Sequence, residues 1–281
     1  MAVAISVGAA PPHRIMEGGS ARPSPAGCNL KIVCWNIERG QQQAAVSAAI
    51  KKETPTIALL QEVDLDAKRT GYRNVAEDLA GQLGMNYLFA PEFEELGQGR
   101  RGKPAYHGQA ILTGVATSSA RFIRFRDQSS YWQPRWFVPN WAVFQRREGG
   151  RLALVVELGT APNRMVVYNV HLESRGAPDL RLRQIEEIIA DTRHYPGETP
   201  LLIAGDLNTR EPSPPAVKAL LDAGFRKAVG GEVTTVHGTR LDWIFVRGPI
   251  TFAEGAIHAN VRASDHFPLT VRVRLEPPAC R

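Results

Sequence analysis

The stretch Leu201–Asn208, LLIAGDLN, limits what this chain can fold into more than any other. Leu201, Leu202, Ile203 and Ala204 form an apolar run too short for a helix but long enough for a buried strand, and Gly205 breaks it just before Asp206 and Asn208. Polar side chains two residues apart on an extended segment point to one side, so Asp206 and Asn208 are expected to face one bound water or metal. A turn or a helix cap has the same local pattern, and the fragment alone does not separate these readings.

The pattern recurs. Leu30–Trp35 alternates as a strand ending at Asn36, with Glu38, Arg39 and Gly40 beyond it, and Thr56–Val63 is a buried strand that ends by presenting Glu62. A glutamate in an apolar strand is costly unless it is paired with Lys or Arg or bound to a cation. Further strands are expected over Met85–Ala90 and Gln109–Thr113, from Arg121 and from Asn140. Arg151–Leu158 and Arg164–Leu172 read as a strand pair, with Asn169, His171 and Glu173 on one face by alternation. A single histidine there is more often structural than functional. Leu241–Val246 carries Asp242 among apolar residues, and Asp265 and His266 precede a last strand over Pro268–Leu275. Helices are predicted over Gln41–Lys52, Asn74–Leu83 and Asp179–His194, and another from Ser213 as N-cap, through Pro214 and Pro215, to near Gly224.

With 281 residues, 43% of them hydrophobic, the composition is that of an ordinary soluble protein of one large domain or two small ones. No apolar run approaches the roughly 20 residues that span a bilayer. Residues 1–28 lack a basic start, and their short apolar stretch is broken by Gly and Pro, so they read as a disordered leader before a domain over 29–277. Cys28, Cys34 and Cys280 make no even-numbered framework, which points to a reducing, cytoplasmic compartment. The net charge of +6 favours anionic partners such as nucleic acid, phosphorylated metabolites or acidic head groups.

Two basic stretches bear on that partner. Gly97–Gly108, GQGRRGKPAYHG, is expected to be a mobile loop whose Arg100, Arg101 and Lys103 either meet phosphates or are simply solvated. Between Arg121 and Arg147, arginines interleave with Tyr131, Trp132, Trp136 and Trp141. Such a pattern suits stacking on bases beside phosphate contacts, and it equally suits strands that use the aromatics as core.

Asn36, Glu38, Glu62, His171, Asp206, Asn208, Asp242, Asp265 and His266 nearly all fall at or just after strand ends. Together they offer hard oxygen ligands suited to Mg²⁺ or Mn²⁺, without the Cys/His cluster that zinc prefers. In order, WNIERG (Trp35–Gly40), LLQEVD (Leu59–Asp64), VYNVHLES (Val167–Ser174), GDLNTRE (Gly205–Glu211), LDWIFV (Leu241–Val246) and SDHFPL (Ser264–Leu269) resemble the endonuclease/exonuclease/phosphatase superfamily. That group contains apurinic endonucleases, DNase I, neutral sphingomyelinases and inositol polyphosphate 5-phosphatases, and the resemblance covers residues 30–275.

The resemblance implies a four-layered α/β sandwich, two mixed β-sheets packed face to face with helices outside and the site at one rim. It also implies a phosphoester hydrolase in which Glu62 is the principal metal ligand, with Asn36, Glu38 and Asp265 on the metal side. Asp206 would align or deprotonate the attacking water and Asn208 would hold the phosphate. His266 would contact the scissile phosphate with Asp242 fixing its tautomer, and His171 would be a second phosphate-contacting histidine. Gln109 departs from the pattern, standing where many relatives have Asn. Loops choose the substrate on a shared scaffold. The charge, the basic loop and Trp136 favour nucleic acid, with a phosphatase or phospholipase-C-like hydrolase on inositol phosphates or sphingomyelin as the alternative. A noncatalytic nucleic-acid-binding module is remoter, since it would have shed Glu62, Asp206 or His266. Endo- versus exonuclease action, one or two metal ions and the oligomeric state are not legible in the sequence.

Overall fold

The computed structural model describes residues 14–129, 144, 146–160 and 163–276. In chain order the first half forms β1 (Met16–Gly19), β2 (Asn29–Arg39), α1 (Gln43–Glu53), β3 (Ile57–Leu65), α2 (Val75–Leu83), β4 (Asn86–Glu95), β5 (Tyr106–Thr113) and β6 (Thr117–Arg124). The second half forms β7 (Arg147–Gly149), β8 (Leu152–Leu158), β9 (Met165–His171), α3 (Pro178–Thr192), β10 (Leu201–Asp206), α4 (Pro215–Asp222), β11 (Arg226–Val229), β12 (Asp242–Arg247), β13 (Ile250–Ile257) and β14 (Leu269–Leu275).

These strands make an eight-stranded sheet in the order β1-β4-β5-β3-β2-β14-β13, with β7 beside β4, and a six-stranded sheet in the order β11-β12-β10-β9-β8-β6. Both are mixed: β2 runs parallel to β3, and β9 parallel to β10, with antiparallel neighbours elsewhere. The sheets face one another across a core in which Ile32, Leu59 and Ile111 meet Leu154, Val167 and Leu202. Outside, Val46, Ile50 and Leu79 of α1 and α2 pack on Trp35 and Leu60, and Ile185, Ile188 and Leu220 of α3 and α4 pack on Tyr168, Ile203 and Phe245. Central strands covered on both faces read as continuous apolar runs, which is why β3 and β10 stood out in the sequence. The four layers are those the resemblance implies.

Several boundaries differ from expectation. Met16–Gly19, placed in the disordered leader, pairs with Asn86–Phe89 as an edge strand. Tyr106–Gly108, expected in a mobile loop, are the first residues of β5, and β4 runs five residues past Ala90. Ser213 does not cap α4: Pro214 holds that position with no side-chain hydrogen bond. The edge strands β11 and β13 were not anticipated, because their half-exposed sequences lack an apolar run. Gly205 does not end β10 but lies within it at φ +153°, where a Cβ would overlap the Val170 carbonyl oxygen of β9. Cys28 is disulfide-bonded while Cys34 is free and buried, so the cysteines no longer argue for a reducing compartment. Among the described residues no helix is long and apolar enough to cross a membrane.

Candidate active site

Three strands of the six-stranded sheet reach one rim in register. Asp206 of β10 lies directly opposite His171 of β9 on one side and Asp242 of β12 on the other. The eight-stranded sheet contributes differently, through irregular backbone. The β2–β3 register shifts between Asn36 and Arg39, and the β3–β5 register between Leu60 and Val63. Glu38, Arg39 and Glu62 are left-handed at these bulges, with φ of 45°, 68° and 53°. Glu62 is therefore presented from inside β3 and not from its end. Asn169 of the opposite sheet supports the bulge: its Nδ2 donates to the Leu60 and Ala110 carbonyls, both at 3.0 Å, and its Oδ1 accepts from Gln61 Nε2 at 2.6 Å.

Glu62, His171, Asp206, Asn208, Asp265 and His266 line one cavity of about 280 Å³ at this rim, together with Arg151, Ser174, Arg210, Thr235, His237 and Thr239. Asp242 and Asn36 lie behind that lining. His266 Nδ1 is 2.8 Å from Asp242 Oδ2 and 3.0 Å from Oδ1, and its Nε2 is 3.8 Å from Asp206 Oδ2. Burial alone would discharge His266, but the carboxylates of Asp242 and Asp206 outweigh it and raise the imidazolium pKa to about 10. Asp206 is wholly buried, and burial, reinforced by Asp242 and opposed by His266, pushes its carboxyl up to about 7.

Asp206 is held firmly. Its Oδ1 accepts the Asn208 backbone N–H at 2.8 Å and its Oδ2 accepts from Asn36 Nδ2 at 3.1 Å. Asn208 is left-handed at φ 50°, so this is a tight turn after the strand and not the extended pair that the spacing suggested. Its Nδ2 donates to the Leu172 carbonyl at 3.0 Å. Trp35 Nε1 donates to the His266 carbonyl at 2.9 Å and Ser264 Oγ to the Asn36 carbonyl at 2.7 Å, tying the loop before β14 to β2.

On the Glu62 side the field is positive. Burial would raise the Glu62 carboxyl, yet nearby positive groups, His107 and then Arg39 foremost, hold it well below the usual carboxylate range. Arg39 Nη2 is 3.7 Å from Glu62 Oε2, and the Glu62 side chain keeps 20% exposure. Behind it Asp64 receives both Nε and Nη2 of Arg69, at 2.6 and 2.7 Å, and approaches His107 Nδ1 at 3.1 Å.

Among the described residues one group of three could hold a metal, Asp206, Asp242 and His266. The close approach of His266 Nδ1 to both Asp242 oxygens makes this trio a proton-holding chain as it stands. Glu62 and Asp265 are the other carboxylates facing the cavity, and Glu38 is not on its wall. Arg100, Arg101 and Lys103 are not on it either: Arg100 stacks over the Tyr72 ring at 4.0 Å and Lys103 Nζ pairs with Asp66 at 2.8 Å. Trp136 lies outside the described residues. Sequence reading missed Glu92 and Arg151, both buried beside His171. The rule applied to Glu62, a carboxylate inside an apolar strand, also picks out Glu92 in YLFAPEF.

The model for the Endonuclease/Exonuclease/phosphatase family matches residues 33–266, and the chain belongs to that family. No curated protein matches it in sequence. Among solved structures it is similar to the endonuclease/exonuclease/phosphatase from Beutenbergia cavernae DSM 12333 (TM-score 0.66, 18% identity, 89% of this chain and 72% of that one). It is similar also to the human Nocturnin catalytic domain with bound sulfate anion (TM-score 0.64, 16% identity, 93% and 98%). A third is D. rerio TDP2 complexed with single-strand DNA product (TM-score 0.56, 16% identity, 88% and 100%). At these identities the likeness concerns the fold.

Proposed function

We propose that the protein is a divalent-metal-dependent phosphodiesterase acting on nucleic acid, with Asp206 as base, His266 as the cationic group at the phosphate and Glu62 as the principal metal ligand. The observation that carries this reading is the buried chain Asp242–His266–Asp206, with His266 Nδ1 2.8 Å from Asp242 Oδ2 and Nε2 3.8 Å from Asp206 Oδ2. The two carboxylates favour a protonated histidine, and burial raises the Asp206 carboxyl to about 7. A base tuned near neutral pH accepts a proton from water most effectively.

In this reading Asp206, steadied by Asn36 and the Asn208 N–H, takes the proton of the attacking water. His266 keeps its protons through Asp242 and turns Nε2–H toward charge building on the phosphoryl oxygens. The second N–H of Asn208 Nδ2 remains for a phosphate oxygen, as does His171 Nε2. Glu62 and Asp265 face the same cavity and offer carboxylate oxygens of the type that fits Mg²⁺ or Mn²⁺, with Asn36 behind the lining and Glu38 off the wall. A cation bound there would supply neutralisation of the nonbridging oxygens. Nucleic acid is favoured by the net charge of +6 and by Arg210 at the cavity wall. It is favoured also by the likeness to a structure solved with a single-strand DNA product.

The test is hydrolysis by wild type and Asp206→Asn over abasic, nicked and single-stranded DNA, RNA, inositol phosphates and sphingomyelin, with Mg²⁺, Mn²⁺ or chelator. Metal-dependent cleavage of nucleic acid that the substitution removes is expected. Turnover of a small phosphoester alone would replace this reading with the phosphatase or phospholipase-C-like one, and no turnover of any substrate would overturn it.

A further inference from the structure

His171 and His266 stand on two sides of Asp206, their Nε2 atoms 3.5 and 3.8 Å from the same oxygen, Oδ2. What backs them differs. Behind His266 is a carboxylate; behind His171 is the guanidinium of Arg151, whose Nη1 lies 2.8 Å from His171 Nδ1. A guanidinium has donors only, so at that distance Nδ1 must be the acceptor and carry a lone pair. The single proton of the neutral ring then sits on Nε2, the nitrogen on the Asp206 side of a ring that lines the cavity.

We propose that Arg151 is a positioning residue that locks His171 as the neutral, Nε2-protonated imidazole, making it a fixed hydrogen-bond donor to a phosphate oxygen and barring it from proton transfer. The donor role rests on the phosphoester reading above; the tautomer does not.

Arg151 is itself over-determined. Its Nη1 also donates to Glu92 Oε2 at 2.9 Å, and Glu92 Oε1 accepts from Gln109 Nε2 at 2.9 Å. Gln128 brackets its backbone, accepting the Arg151 N–H and donating to its carbonyl, both at 2.8 Å. Gln109, the departure from the family pattern, thus anchors the far end of the chain that reaches His171. Burial, then the charge of Arg151, holds the His171 pKa well below the ordinary histidine value, in keeping with a ring that stays neutral. His171 Nδ1 is also 3.7 Å from Glu92 Oε2, so without the guanidinium a direct carboxylate–imidazole pair like that of Asp242 and His266 would form.

Long-range ¹H–¹⁵N spectra of the histidine-labelled full chain, assigned with His171→Gln, read the tautomer directly. The wild type is expected to show His171 with an unprotonated Nδ1 and a protonated Nε2 across about pH 6 to about pH 8, either side of the ordinary histidine pKa. Arg151→Met should move a proton to Nδ1, and Arg151→Lys, which keeps a cationic donor, should restore the wild-type pattern. With nucleic acid as substrate, Arg151→Met should lower kcat about 10-fold or more, the scale of losses when a group behind a site ligand is removed, with less change in KM. An imidazolium or an Nδ1–H ring in the wild type overturns the proposal even if Arg151→Met fails to fold, and so does an unchanged tautomer in that variant. Expected spectra from a wild type that hydrolyses none of the phosphoesters would sink the phosphoester reading and leave the tautomer assignment intact.

Discussion

The two sheets deliver their functional residues by opposite means. The six-stranded sheet places His171, Asp206 and Asp242 side by side through undistorted pairing of β9, β10 and β12. The eight-stranded sheet presents Glu62 from a bulge, on a left-handed backbone, with Glu38 and Arg39 strained alongside it on β2. Regular pairing can align side chains along a rim, but it cannot turn a mid-strand residue toward that rim. A bulge can, at a local cost of roughly 1–2 kcal/mol for a left-handed L-residue. In the proposed reading Asp206 and Asp242 of the proton chain sit on the regular sheet, His266 comes from the loop before β14, and the cation's Glu62 sits on the distorted sheet.

The sharpest way to break this comparison is Asp206→Asn. It should lower the hydrolysis rate about 10²- to 10⁴-fold, the usual worth of a general base. Thermal unfolding should show no loss of stability, because the substitution removes a buried carboxylate whose charged form is disfavoured by burial. A large drop in Tm would mean that the regular rim needs this charge for folding.

On the distorted side, Glu62→Gln should lose activity by orders of magnitude and recover part of it at high Mg²⁺ or Mn²⁺, read from metal titrations of the rate. Comparing Glu62→Gly with Glu62→Ala isolates the backbone. If φ 53° stores strain, the glycine variant should be the more stable by about 1 kcal/mol in urea unfolding. Equal stabilities would remove strain from the account.

Asp242→Asn addresses the regular side through pH. Asp206 must be ionised to accept a proton, so the rate should rise as pH passes about 7; His266 must be protonated, so it should fall as pH passes about 10. Without the Asp242 carboxylate the upper limb should move down toward the ordinary histidine pKa, near 6.5, and the acid limb should move down as well, because Asp242 also raises the Asp206 carboxyl.

Asn169→Ala tests whether the sheets act together. It leaves the Leu60 and Ala110 carbonyls without the Asn169 donor and should cost about 1–3 kcal/mol in denaturant unfolding. It should also raise the metal concentration that half-saturates activity, because Glu62 loses the support of its bulge. The smallest effect is expected from Arg101→Ala, less than about 2-fold on kcat, with any change confined to KM and its salt dependence. That basic turn is not on the cavity wall, and a larger effect on kcat would bring it to the site.

Legibility in the sequence followed the same division. Asp206 and His171 could be found because an apolar run ending in a polar residue marks the end of a buried strand. Glu62 was visible as an anomaly in its strand, but nothing in TIALLQEV announces a left-handed residue, since a bulge is defined by register against a partner. Trp136 was drawn from a stretch outside the described residues, and Arg100, Arg101 and Lys103 from composition alone. Their charges are real, yet Lys103 is taken up by Asp66 and Arg100 by the Tyr72 ring.

By itself the chain showed its buried central strands through apolar periodicity and its family through six ordered motifs, both local properties of residues near one another in sequence, and the layers followed only from the family resemblance. Which charges face which was decided only by the tertiary structure. Arg151 lies 20 residues from His171 and Asp242 lies 24 from His266, and in each case the protonation state depends on a partner brought in by a distant segment of the chain. Burial strengthens such pairings by excluding water, so the same residue type, histidine, is held neutral on one side of Asp206 and charged on the other.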